Sequence, residues 1–194
     1  MPNLPISQLP QSTTLQGDEL FVNVQGGITK YTTLDNVTGH HSAHLSTYST
    51  QSQALSTSGS IQPVTFTDVW TQDKISVVEN TKITFQEAGV YQFNFVAQVS
   101  NSDNAVHSTW FWIKYNGNNF PNSTSLITLK PRKSASEPSA QLMTMNIIGR
   151  ALNDNDFIEL YWTGNSTTIQ LTETPAFGEV PETPSVIASI SRVG

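Results

Sequence analysis

An all-β sandwich or barrel is the fold class this sequence predicts, on three observations. From about Asp68 onward, short runs alternate apolar and polar residues with the period of an extended strand. Clusters of Asn, Asp, Gly and Pro break these runs at close intervals. No convincing amphipathic helix pattern lies between them. KISVVENTKITFQEAGVYQFNFVAQVS breaks at Glu79-Asn80 and again at Glu87-Ala88-Gly89. Its last run puts Tyr91, Phe93, Phe95, Ala97 and Val99 on one side, the side of a core. Gln92, Asn94 and Gln98, with Val90 and Val96, fall on the other, which is amide-rich and uncharged. STWFWIKYNGNNF is a strand ending in the turn Asn116-Gly117. TSLITLK and LMTMNIIGRAL follow, then FIELYW after the turn Asn153-Asp154-Asn155-Asp156, and TTIQLTE and SVIASISRV complete the set.

The first 39 residues have a different character. LFVNVQGGITKYT reads as a hairpin turning at Gly26-Gly27, and Thr33 or Asp35 can cap a short helical turn after it. Fewer than ~40 residues rarely fold alone without disulfides or metals. Residues 1–39 therefore read as a docking module, with Ile6, Leu9, Leu15, Leu20, Val22, Val24 and Ile28 as its contact candidates. Residues 40–62 are rich in Ser and Thr and read as a flexible linker or as an extended first strand. Leu45, Tyr48 and Leu55 fit a coiled-coil spacing less well, because Ser52 breaks the seam. Residues 63–194 form the main domain.

Charged residues are 12% of the chain, against roughly 25% in ordinary soluble proteins. Ser, Thr, Asn and Gln supply the polarity instead, a composition suited to an extracellular or particle surface. The net charge of −6 argues against nucleic acid as a partner. Lys130, Arg132 and Lys133 cluster in a Pro/Ser-rich run that reads as a solvated loop. The absence of cysteine excludes disulfides, thiolate metal sites and a Cys nucleophile. MPNLPISQLP shows no secretory signal, and no run approaches the ~18 apolar residues of a membrane span, so no membrane insertion is expected.

Motifs for chemistry are sparse. His40, His41 and His44 do not form a recognised ligand spacing, and no cofactor is expected. His107 beside Asp103 and Ser108 is too generic for a catalytic site. Asp154 and Asp156 sit where turn formers are expected, so a carboxylate pair with Glu159 is the weaker reading. No enzyme activity is expected. Trp110 and Trp112 share one strand face and Phe111, Ile113 and Tyr115 the other. If the latter is core, the indoles mark an interface or a sugar-stacking platform.

Two resemblances follow from these residues. ISQLPQSTTLQGDELFVNVQGGITKYTTLDNV resembles the short N-terminal module of bacteriophage virion proteins, especially from phages of cyanobacteria and other aquatic hosts. The remainder resembles the jelly roll shared by complement globular heads and tumour necrosis factor. ITFQEAGVYQFNF, FWIKYNGNNF, GRALNDNDFIELYW and PSVIASISRVG carry that likeness in order over about residues 44–194. It implies a ten-strand jelly-roll sandwich assembled as a homotrimer. The pair implies a virion structural protein, assembled in the host cytoplasm, whose residues 1–39 dock on other virion proteins. The jelly roll would form a short fibre, tip or spike meeting host surface glycan or protein, with capsid decoration or a connector role as the alternative. Gln92, Asn94, Val96, Gln98, Trp110 and Trp112 are the expected trimer contacts. The loops after Gln98, after Gly117 and between Pro175 and Pro184 are the expected recognition elements.

Overall fold

The computed structural model describes residues 20–25, 28–33 and 43–194. The chain divides into two compact units, Met1–His41 and Ser42–Gly194. In the first, β1 (Leu20–Gln25) and β2 (Ile28–Thr33) pair antiparallel, from Leu20 opposite Thr33 to Gln25 opposite Ile28. The hairpin expected from LFVNVQGGITKYT is present. Ile6, Leu9 and Leu15, the Gly26-Gly27 turn, the capped turn after Thr33, and His40 and His41 lie outside the described residues.

The second unit is all-β, with no helix among the described residues. β3 (His44–Ser49), β4 (Gln53–Ala54), β5 (Gln62–Pro63) and β6 (Asp68–Asp73) come first. β7 (Ile75–Val78), β8 (Lys82–Phe85), β9 (Gly89–Asn101) and β10 (His107–Tyr115) follow. β11 (Asn118–Asn119), β12 (Ser125–Leu129), β13 (Ser139–Ala151), β14 (Phe157–Gly164), β15 (Ile169–Leu171) and β16 (Val186–Arg192) complete it. One antiparallel sheet runs β4–β15–β9–β16–β3–β6, with β13 on the other side of β9. The second runs β11–β10–β14–β8–β7, with β12 also on β10 and β5 on β14. Inward side chains of both sheets form one core cluster, the arrangement of a β sandwich.

The core follows the alternation. Tyr91, Phe95, Ala97 and Val99 of β9 are fully buried, Phe93 nearly so, and Phe111 and Ile113 of β10 meet them from the facing sheet. Phe85 packs its ring on Tyr91 at 4.5 Å, and Phe111 stacks on Trp162 at 6.2 Å. The Tyr91 hydroxyl donates to the Glu87 carbonyl at 2.7 Å, so its burial strands no polar group. The carboxylate of Glu87 in turn holds Lys74 Nζ at 2.8 Å and Arg192 Nη1 at 2.7 Å.

Of the two readings of residues 40–62, the extended first strand describes the segment, because HLSTYS pairs as a strand between β16 and β6. Its inward positions are Leu45, Thr47 and Ser49, and the Thr47 hydroxyl pays for its burial by donating to the Asp68 carbonyl at 2.6 Å. A linker or coiled coil does not describe this segment. The loop expected after Gln98 starts only after Asn101, since β13 and β15 extend the pairing of β9 to its end. The turn at Asn116-Gly117 is as expected, with φ of +46° and +79°.

Gly149 within β13 is required by a close approach. A Cβ there would lie 2.8 Å from the Phe93 ring, itself locked in the core. Gly149→Ala is expected to cost about 1–3 kcal/mol by overpacking, measured by denaturant unfolding at fixed protein concentration. A neutral change would mean that the ring has room to move.

Candidate interaction surface

The outward face of the first sheet is built from β13, β9 and β16 in register. Leu142 lies opposite Gln98, Thr144 opposite Val96, Asn146 opposite Asn94, and Ile148 opposite Gln92. Ile187, Ser189 and Ser191 continue the rows from Val96, Asn94 and Gln92. None of these positions bears a charge, whereas water-facing strands commonly carry Lys or Glu, and the one charge on the face is Arg150 in the end row opposite Val90. Gln92, Asn94, Val96 and Gln98 are half-buried, and Leu142 and Ile148 are 58% and 63% exposed. Gln98 Nε2 donates to the Pro184 carbonyl at 3.2 Å, fixing one amide. At the β3–β6 border Trp70, 57% exposed, stacks on Tyr48 with ring centres 4.4 Å apart.

β13 is the unusual element. All thirteen of its residues pair with β9, and no described strand covers its other edge. A long, open edge with exposed Leu and Ile is an invitation to pairing or packing.

Trp110 and Trp112 belong to the opposite sheet. They point outward from β10 while Phe111 and Ile113 enter the core, so the structure does not bring them together with the β9 amides. Trp112 Nε1 donates to Asn119 Oδ1 at 2.9 Å, its ring lies 5.9 Å from that of Tyr161, and Lys114 Nζ sits 4.0 Å over the Tyr161 ring. Trp110 faces Leu126 and Thr163 across the ladder.

Each of the described candidates for chemistry has a hydrogen-bond partner within the fold. His107 Nε2 lies 2.7 Å from Asp103 Oδ2, and the Ser108 hydroxyl lies 3.2 Å from that of Thr128. The hydrogen bond to His107, joined by one from the Asn104 amide, holds the Asp103 carboxyl below its ordinary range. Asp154 accepts from the Ala88 amide at 2.9 Å, and Glu159 from the Thr81 hydroxyl at 2.9 Å. Asp156 is buried beneath its turn and accepts from Asn116 Nδ2 and the amides of Leu152 and Asn153, each at 2.8 Å, and from the Tyr115 hydroxyl. Burial opposes its charge, but these donors outweigh burial and bring its pKa down to about 2. His44 Nε2 lies 3.1 Å from Thr71 Oγ1, and among the described residues no group of three or more His, Asp or Glu is placed to hold a metal.

Sequence reasoning missed the open edge of β13 and the Trp70–Tyr48 stack. Alternation names the faces of β13 but not the edge left unpaired. No family model matches this chain, and no curated protein matches it.

Proposed function

We propose that this chain is a non-enzymatic structural protein of a bacteriophage virion, docked on the particle through residues 1–39 and displaying a trimeric sandwich for attachment to the host surface. The observation that carries the assembly is the outward face of β13, β9 and β16, uncharged over the rows of Gln98, Val96, Asn94 and Gln92 and charged only at its end, where Arg150 lies opposite Val90, beside a thirteen-residue edge that no described strand pairs. Near a three-fold axis every charge meets two copies of itself, so amides, hydroxyls and aliphatic groups suit such a face. The pairing order supports a jelly roll of the complement-head and tumour-necrosis-factor kind. Ten strands of the second unit have four or more residues, five per sheet, in the orders β6–β3–β16–β9–β13 and β7–β8–β14–β10–β12. The first and last of them, β3 and β16, are neighbours.

In this reading Gln92, Asn94, Val96 and Gln98 face a neighbouring subunit. Trp110 and Trp112, on the opposite sheet, stay outside that contact. Three weak identical sites on one body then give attachment by avidity. The phage assignment itself rests on the likeness of residues 6–37 to virion docking modules. Peptide mass spectrometry of purified virions tests it: the chain is expected among the structural proteins, and its absence would overturn the proposal. Asn94→Lys places three ammonium groups near the axis and is expected to shift the trimer toward monomer about tenfold in concentration. An unchanged dissociation midpoint would return this face to solvent.

A further inference from the structure

The segment between β15 and β16 leaves its sheet as a hairpin. Thr174 bridges Thr183, and Phe177 and Val180 exchange two 3.0 Å backbone hydrogen bonds around Gly178-Glu179. Gly178 has φ +59°, which a tight turn of this kind requires. Pro175, Pro181 and Pro184 stiffen the two arms, so little order is lost when the hairpin binds. At its tip Phe177 is 85% exposed and Val180 59%. Glu173, Glu179 and Glu182 are its charged groups, and no Lys or Arg occurs from residue 151 to 191. A stiff arm with an apolar tip and acidic flanks fits a surface of apolar and basic character.

Such a surface exists on the other flank of the same sheet. Asn101 Nδ2 donates to the carbonyls of Ala105 and Lys130, both at 2.9 Å. The Arg132 amide donates to the Asp103 carbonyl at 2.7 Å, and Arg132 Nε to Asn104 Oδ1 at 2.9 Å. These bonds join the loop of Val106, 57% exposed, to the loop of Lys130, Arg132 and Lys133. Asp103 is taken by His107 and Glu137 by Lys133, which leaves Lys130 and Arg132 in excess.

The two features sit at one end of β9 on opposite flanks. Backbone bonds from Thr172 to Gln98 and from Gln98 to Ser185 fix the hairpin base on the β15–β16 side. The basic loop runs into β13 on the other side, where Ser139 pairs with Asn101. A head-to-tail ring apposes one flank of each copy to the opposite flank of the next. We propose that the hairpin of one copy docks on the 103–106 and 130–133 loops of its neighbour, with Phe177 against Val106 and the glutamates facing Lys130 and Arg132. This rests on the trimer reading above.

Sedimentation of the full chain over a concentration series tests it. Glu179→Lys with Glu182→Lys is expected to raise the trimer dissociation midpoint about tenfold, and Phe177→Ser to do the same. Adding Lys130→Glu to the hairpin pair is expected to restore part of the loss. All these side chains are exposed, so the circular dichroism of the variants should match that of the wild type. A trimer whose midpoint ignores the hairpin reversal, or a loss that the compensating reversal leaves unrepaired, overturns the docking and leaves the trimer standing. A monomeric wild type overturns the trimer reading and the docking with it.

Discussion

Trp162→Ala is expected to destabilise the sandwich by about 4 kcal/mol, the largest effect of any single truncation in the core. Trp162 is fully buried in β14 and stacks on Phe111 of the neighbouring strand. Removing the indole leaves a cavity that the two sheets, held by their ladders, cannot close. The same side chain carries a buried Nε1–H with no acceptor among the described residues. Burying an unpaired donor costs about 1–3 kcal/mol, which the packing of the ring must outweigh. Trp162→Phe removes that donor along with part of the ring, so it is expected to cost less than about 2 kcal/mol. Denaturant unfolding of both variants at one protein concentration checks the pair. A Phe variant as damaged as the Ala variant would show that the donor finds a partner.

The second large effect lies at Asp156. Asp156→Ala strands the amides of Leu152 and Asn153, the Asn116 amide group and the Tyr115 hydroxyl, at an expected cost of about 3 kcal/mol. Asp156→Asn keeps one acceptor oxygen but turns an NH2 toward donors, and is expected to cost about half as much. The acid limb of stability follows from the same bonds. The folded pKa of about 2 lies below the ordinary 3.8, so the charged carboxylate stabilises the fold fully above about pH 4. That contribution fades as pH falls toward 2, where the folded-state carboxylate takes up its proton. The gap between wild type and Asp156→Asn should therefore narrow from pH 5 to pH 2. A gap constant over that range would place the titration elsewhere.

The strands legible in the sequence are those whose inward positions are large and apolar. β9 and β10 alternate Tyr, Phe, Val and Ile so regularly that face and core assignment follow at once. β3 was legible only as one of two alternatives, because two of its three inward residues, Thr47 and Ser49, are small and polar and look like linker. The turn at Asn153–Asp156 was legible from its residue types, but the role of Asp156 as acceptor for two segments was not, since its donors at Tyr115 and Asn116 are some forty residues away. The candidate surface was half legible. The uncharged face of β9 is plain in AGVYQFNFVAQVSN, yet alternation within β10 cannot say which sheet β10 joins. That choice separates Trp110 and Trp112 from the β9 amides. It follows from pairings between residues far apart in sequence, such as Trp112 with Tyr161.

The assembly proposed for this chain is decided by its mass in solution. Sedimentation equilibrium of the full chain at micromolar concentration should return about 64 kDa, three chains of 21.3 kDa, with little monomer. A single species near 21.3 kDa would leave the face of β13, β9 and β16 uncovered and contradict the trimer.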